Sequence, residues 1–300
     1  MCQVIATEEF YTCIVANVLL SKQFDPVRYK EELKKDWSEK AHIYHEHYAA
    51  PRAGPFKSVE KLVEVAKLRE GDRVLDVATG TGIVAMEALK KIGKSGKVVG
   101  IDISSGPLAI AKKEINNLSN VEFLEMDAED LKFPDQSFDV VLNQFALFFF
   151  PDTQKALREI KRVLVRNGRI AISVHGSEEN VPYFSISTSI LHYIPDIRPA
   201  GAPTPYRFGK LEALKAELEK CGLKNIDIRS YTYTYNAGTF DDYWSEFMRS
   251  TANAIRSRLE SLEPAMLEKI RNESKEKAEK FLNNGVIEFP WQVLVASATT

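Results

Sequence analysis

Cysteine is scarce in this chain: Cys2, Cys13 and Cys221 are the only three among 300 residues. Their odd number and the lack of any C-x-x-C spacing exclude a disulfide framework and a thiolate zinc site, and point to a reducing, cytoplasmic setting. No apolar run reaches the roughly 20 residues that cross a bilayer. The apolar patch at residues 13–20 follows Glu8 and Glu9, where a secretory leader would carry basic residues, and it lacks the basic face of a membrane-surface helix. Residues 1–23 therefore read as a short extra helix or tail, without stable membrane insertion. There is no block of like charge, and the formal net charge is only −2, which argues against a nucleic-acid partner. No internal repeat or low-complexity tract interrupts the chain. Its length suits one large domain, or a domain with a cap.

What the chain does have is the stretch R-V-L-D-V-A-T-G-T-G-I-V-A-M at residues 73–86. An apolar run holding one acid, Asp76, stops at two glycines spaced G-x-G, and a helix-like run follows at once. This is a strand, a tight turn and a helix. Gly80 and Gly82 can take positive φ and carry no Cβ, so a ligand can lie against the backbone while the first N–H groups of the helix point at it. The letters also satisfy a dinucleotide pattern, since Gly80, Gly82 and Ala85 spell G-x-G-x-x-A.

The flanking strands narrow the choice. A second apolar strand ends in Asp102, about 20 residues past the glycines, where an acid can accept both hydroxyls of a ribose. In dinucleotide folds the first strand runs apolar into its glycine. Here Asp76 sits late in that strand, placed to orient the loop or to meet a cationic amino group. A third strand leads into M-D-A-E-D, which puts Asp127 where an adenine amino group can donate to it.

With these residues the chain resembles the class I S-adenosylmethionine-dependent methyltransferases, and within them the branch similar to ubiquinone/menaquinone-biosynthesis C-methyltransferases. The resemblance rests on V-L-D-V-A-T-G-T-G, V-V-G-I-D-I-S, M-D-A-E-D-L-K-F-P-D-Q-S-F-D-V-V and A-L-R-E-I-K-R-V-L-V-R-N-G-R-I-A-I-S-V, in order, and covers residues 56–174. It implies S-adenosyl-L-methionine as cofactor, with Asp76 and the turn Ala78, Thr79, Gly80 and Gly82 facing its methionine part, Asp102 its ribose, and Ile103, Asp127 and Ala128 its adenine. Ala78 stands where the class often has glycine, and its small size is expected to preserve binding. Two other classes fit parts of the sequence: a nicotinamide-dependent oxidoreductase, on the G-x-G-x-x-A match, and a non-catalytic partner protein that binds the same cofactor.

Strands at 73–77, 97–102, 121–126, 138–143 and 169–175 alternate with helices at 83–91, 107–117 and 153–163, a helix at 56–68 preceding them. Alternation of this kind predicts a doubly wound α/β fold with a mostly parallel sheet, ligands binding at the carboxyl ends of its strands. The 223–235 segment alternates like an edge strand, and the last strand, 286–297, follows a helical stretch at 239–284. By the resemblance these two form an antiparallel hairpin, completing a seven-stranded, Rossmann-like sheet with the helices between them as an insertion. The organisation expected is an N-terminal tail and lid helix at 1–55, a core at 56–238, the insertion at 239–285 and the last core strand at 286–300. Tyr243, Trp244, Phe247 and Met248 are expected to pack on the sheet domain or on a second subunit of a homodimer. Glu273/Lys277 and Glu276/Lys280 should mark the solvated face.

Candidates for the chemistry come from the flanks and the strand ends. Asp25 and Pro26 open a helix that can run to about Tyr48 and carries Trp37, Ala41, Tyr44 and Tyr48 on one stripe. That stripe is core packing, a cover over the cofactor, or both. His42, His45 and His47 do not converge on a helix, so no metal is expected. Four phenylalanines within residues 145–150 follow the fourth strand. If two of the rings face the cleft, the pocket suits a small, apolar or aromatic acceptor. Deprotonation of a carbon or phenolic acceptor would fall to His45, Tyr48 or His175. Asn143, at the end of the fourth strand, is placed to orient the acceptor and to border the cofactor.

Overall fold

The computed structural model describes residues 24–116 and 118–300. The helix or tail expected in residues 1–23, with Cys2 and Cys13, lies outside the described residues. Helix α1 (Pro26–Tyr44) begins as expected, with the Asp25 carboxylate accepting from the N–H groups of Val27 at 2.9 Å and Arg28 at 3.3 Å and Pro26 in the first turn. It runs on into a π-helical turn, His45–Ala49. The expected helix at 56–68 is a 3-10 turn, Gly54–Ser58, followed by α2 (Val59–Ala66).

Five strands follow with helices between them: β1 (Arg73–Val77), α3 (Ile83–Ile92), β2 (Lys97–Asp102), α4 (Ser105–Glu114), β3 (Val121–Glu125), β4 (Phe138–Gln144), α5 (Thr153–Val163) and β5 (Leu164–His175). The apolar runs of β1, β2 and β4 are buried almost throughout, as parallel strands covered by helices must be. After β5 come α6 (Ser185–Tyr193), α7 (Leu211–Lys220), β6 (Lys224–Asn236), α8 (Phe240–Ser250), α9 (Asn253–Glu260), α10 (Pro264–Glu279), β7 (Leu282–Asn283) and β8 (Val286–Thr299). The sheet order is β3-β2-β1-β4-β5-β8-β6. The first five strands are parallel, and β8 runs antiparallel between β5 and β6, with Ile172 opposite Ala296 and Ile228 opposite Ala296 on the other side.

The seven-strand path agrees with the expectation, and the two-residue β7, paired to β8, adds an eighth strand. β5 starts at Leu164 rather than near 169. The strand runs through R-N-G with a register shift against β4 and Asn167 at φ 60°. Helix α6 has no counterpart in the expectations, since S-I-S-T-S-I carries weak helix formers. The 239–284 stretch divides into three helices at Thr251 and before Pro264. Tyr243 is fully buried against Phe289 of β8, with Trp244, Phe247 and Met248 partly buried on the core. Glu273 does not face solvent alone: it pairs with Lys277 and, at 2.7 Å, with His192 of α6. Among the described residues no helix is long and apolar enough to cross a membrane.

α1 lies across α4 at close range. A Cβ added at Gly106, in the first turn of α4, would collide with the Ser38 backbone of α1. Gly106→Ala is therefore expected to lower stability by about 1–3 kcal/mol through overpacking. Urea unfolding of the two proteins checks this, and an unchanged midpoint would mean that α1 is not held against α4.

Candidate functional site

The turn after β1 is built by residues in the left-handed region: Ala78 at φ 56°, Gly80 at 56° and Gly82 at 86°. Gly82 has a second reason to lack a side chain, because a Cβ there would press within 3.1 Å of Ala111 and 3.2 Å of Ile115 in and after α4. Ala78 adopts this conformation with a Cβ, at a cost of about 1–2 kcal/mol, which accounts for the glycine common at that position in the resembling class. Asp76, 1% exposed, holds the turn from behind. Its Oδ2 accepts from the Thr79 hydroxyl at 2.6 Å, while its buried Oδ1 has no hydrogen-bond partner among the described residues. The Thr79 N–H donates to the Ile101 carbonyl at 2.8 Å, which fastens the turn to β2. Asp102 closes the arrangement, accepting from the Gly80 N–H at 3.0 Å and from the Ser104 N–H at 2.9 Å.

These groups form one wall of a cleft at the carboxyl ends of β1, β2, β3 and β4, about 820 Å³ with its open mouth included. Ala78, Gly80, Asp102, Ile103, Asp127 and Ala128 reach its surface. Facing them are Trp37 and Tyr44 of α1 and Phe145, Phe149 and Phe150 after β4. Trp37 packs edge-on against both Tyr44 and Phe149, at 5.2 and 5.9 Å between centroids. Burial and the nearby Asp102 and Asp76 carboxyls keep the Tyr44 phenol protonated.

Lys30 and Leu33 of α1 also line the cleft, and sequence reasoning missed both. The signal was available, because extending the Trp37–Tyr44 stripe backward by helical spacing reaches Leu33 and Lys30. Lys30 Nζ lies 2.7 Å from both Asp127 Oδ2 and Glu129 Oε2. Burial alone would lower its pKa, and the two carboxylates more than reverse this, so it stays charged. Arg207 was missed without any periodic signal to reveal it. Its guanidinium donates to the carbonyls of Leu147 at 3.2 Å and Phe150 at 2.6 Å and to the Thr153 hydroxyl, clamping the phenylalanine segment from outside the cleft.

The remaining expected residues stand behind the wall. Asn143 is fully buried with its amide spent on backbone at both ends, donating to Val77 O at 2.9 Å and accepting from Leu147 N–H at 3.0 Å. Tyr48 points away from the cleft: its hydroxyl donates to Glu246 of α8 and lies 3.3 Å from that of Tyr183. Burial and the Glu246 charge push its pKa well up. His175 stacks on Phe145 at 4.4 Å, and its Nδ1 accepts from the Trp291 indole N–H at 3.0 Å, leaving the ring proton on Nε2. Phe148 packs on His175 rather than in the cleft. His45 is half-buried with Nδ1 unpartnered among the described residues, while His42 and His47 are exposed.

The donor and acceptor set suits S-adenosyl-L-methionine. Asp102 spends two of its four lone pairs on backbone and keeps two for ribose hydroxyls. The orphaned Asp76 Oδ1 is free to meet a cationic group, and the Cβ side of Gly80 is open except for the Tyr44 ring at 3.9 Å.

Comparison with known proteins agrees. A methyltransferase-domain family model matches residues 75–172. The demethylmenaquinone methyltransferase of Staphylococcus aureus (strain JH9) is 31% identical over 187 residues, 58% of this chain and 76% of that protein. Its namesake from Staphylococcus carnosus is 28% identical over the same length. Among solved structures, phosphoethanolamine N-methyltransferase 2 of Haemonchus contortus, with S-adenosylhomocysteine bound, superposes with a TM-score of 0.58 at 17% identity, covering 91% of this chain and 60% of that one. The YcgJ protein of Bacillus subtilis gives 0.57 at 23% identity, covering 81% and 98%. Both structures are similar in fold.

Two buried groups give the site a pH signature. Burial pushes Asp76 up to about 7, against the pull of its Thr79 hydrogen bond and of the nearby Ala85 N–H. A carboxyl raised in the folded state contributes most at low pH, and this is lost as pH rises from about 4 toward 7. Burial pushes His175 down to about 3. Its contribution is present above the unfolded value of about 6.5 and is lost as pH falls. The windows overlap with opposite sign, so the difference between variants is the useful quantity. Asp76→Asn is expected to gain stability relative to the parent between about pH 4 and 7 and to level off above. Chemical denaturation across that range measures it, and a pH-independent difference would show that Asp76 titrates in the fold as it does in the unfolded chain.

Proposed function

The chain belongs to the class I S-adenosylmethionine-dependent methyltransferases, and on that premise we propose that it methylates a small apolar or aromatic acceptor at carbon or oxygen. The observation that carries this reading is the division of the cleft, acids and a glycine turn on one side, three phenylalanines with Trp37 and Tyr44 on the other. The cofactor supplies a methyl group already activated on a sulfonium. What remains for the protein is to hold donor and acceptor in line and to exclude water.

In this reading Asp102 takes the ribose hydroxyls, Ile103, Asp127 and Ala128 border the adenine, and the turn from Ala78 to Gly82, backed by Asp76, takes the methionine end. Of the described residues, 56–238 and 286–300 form the transferring core, with 24–55 and 239–285 covering it. Asn143, Tyr48 and His175 act by positioning: Asn143 joins β1 to the phenylalanine segment, and the other two support the aromatic wall. A neutral His175 and a protonated Tyr48 exchange protons poorly near pH 7. The Staphylococcus relatives are named for demethylmenaquinone, an apolar aromatic molecule, which supports the acceptor class.

S-adenosylhomocysteine is expected to raise the melting temperature, and NAD and NADP are not, because a ligand that binds only the folded state stabilises it. Asp102→Ala should weaken that binding by about 1.5–3 kcal/mol, the range for hydrogen bonds to a charged group. An unchanged dissociation constant in the folded variant would put the ribose elsewhere. An acceptor screen read by S-adenosylhomocysteine release should find turnover with quinols and phenols and none with small polar amines. Turnover of charged amines alone would refute the acceptor class.

A further inference from the structure

The two acids at the surface of the cleft, Asp102 and Asp127, are not equally free to meet a ligand. Asp102 accepts from backbone N–H groups of its own wall. Asp127 Oδ1 likewise turns back into its own chain, accepting from the Glu129 N–H at 2.9 Å, but Oδ2 carries the Lys30 ammonium at 2.7 Å. That ammonium comes from α1, and Lys30 itself lines the cleft. The acceptor expected to meet adenine is therefore already covered, by a donor with a full charge.

The room inside the walls of the cleft is about 100 Å³, whereas small-molecule pockets begin at about 300 Å³, so a nucleoside enters only where part of the wall gives way. Lys30 is suited to be that part. Trp37 and Tyr44 of the same helix are held by ring packing, but the end of Lys30 is held by charge alone and its side chain is 22% exposed. It also has somewhere to go. Glu129 Oε2 lies 2.7 Å from the same Nζ, and this carboxylate is fixed independently, its Oε1 accepting from the Asp152 N–H at 2.9 Å. The ammonium can thus leave Asp127 while staying paired with Glu129.

We propose that Lys30 sets how strongly the cleft selects adenine, by competing with the adenine amino group for Asp127 Oδ2. When the base binds, the ammonium moves to Glu129 and an amino N–H takes its place on Asp127. A charge-assisted bond is then exchanged for a bond from a neutral donor to the same oxygen, so adenine gains less than an uncovered carboxylate would give it. The proposal rests on the reading of the cleft as a site for S-adenosylmethionine, and adds to it a residue that works against binding.

Isothermal titration of the full chain tests this with S-adenosylhomocysteine and with the same molecule carrying unsubstituted purine, which lacks the amino donor. The parent should favour the adenine compound. In Lys30→Met that preference is expected to widen by about threefold to tenfold, the range of a partly exposed ion pair, through tighter binding of the adenine compound alone. Lys30→Gln, a milder change that leaves a neutral donor, should widen it less, and Asp127→Ala should remove it. Thermal melting of each variant reports that it is folded. An unchanged preference in both Lys30 variants would overturn the proposal. So would weaker binding of the adenine compound, which makes Lys30 a ligand to the base, or an equal gain for both compounds, which makes it only a tether of α1. A preference that survives Asp127→Ala would take Asp127 out of the adenine site, and the competition with it. Binding of neither compound by the parent or any variant would instead overturn the cofactor reading itself, and the proposal with it.

Discussion

The Asp102 carboxylate joins the ends of two neighbouring strands, accepting the Gly80 N–H from the turn after β1 and the Ser104 N–H from the start of α4. Hydrogen bonds to an ionised group contribute about 1.5–3 kcal/mol, and here two of them fix the relative height of both turns. The glycine turn could not keep its left-handed backbone on local preference alone, since Ala78 opposes it. Thr79 supplies the other restraint, through its hydroxyl to Asp76 and its N–H to Ile101. The acidic side of the cleft is thus held by contacts within the chain, and burial there raises both the Asp76 and the Asp102 carboxyls.

The cover is fastened as firmly as the turn. On one side α1 reaches the end of β3 through Lys30 with Asp127 and Glu129, and through Lys34 with Glu125. On the other it holds the inserted helices: Asp36 accepts from the Asn253 N–H at the start of α9 at 3.1 Å, and Lys40 donates to the Thr251 carbonyl. Past its end, Tyr48 joins Tyr183 at 2.7 Å and Tyr235 at 2.8 Å in donating to a single carboxylate, Glu246. One acid on α8 therefore gathers the turn after α1, the segment after β5 and the edge strand β6. Because these contacts are shared, α1 and the 239–285 helices form one cover rather than two.

What could be read in the sequence was what is encoded over short distances. Strand, glycine turn and helix follow one another within residues 73–92, and Asp102 and Asp127 are placed by the ends of their own strands, so the parallel core and the acidic side of the cleft were legible. Tyr44 and Trp37 were legible as a stripe. Tyr48 sits on the same stripe but in the π turn, where the altered backbone period carries its ring to Tyr235 and Glu246 instead of the cleft. Asn143 and His175 were rightly found at the carboxyl edge, but their partners, Val77, Leu147 and Trp291, are set by tertiary packing that no spacing records. Arg207 reaches across 54 to 60 residues of sequence, and Glu246 across 63 to Tyr183 and 198 to Tyr48, and nothing local announces such contacts.

The same division has a consequence for specificity. The acidic wall comes from consecutive strand ends tied to one another by backbone N–H groups, so a substitution there disturbs the fold as well as the cleft. The aromatic wall is assembled from α1 and the 145–151 segment, and the residues that shape it mostly do not touch the cleft: Arg207 grips the backbone of Leu147 and Phe150, Asn143 holds Leu147, and His175 and Phe56 support Phe145. Changing any of these supports moves an aromatic ring without removing it. Side chains that do not line the cleft thus set the shape of its aromatic side while the Asp102 linkage stays as it is.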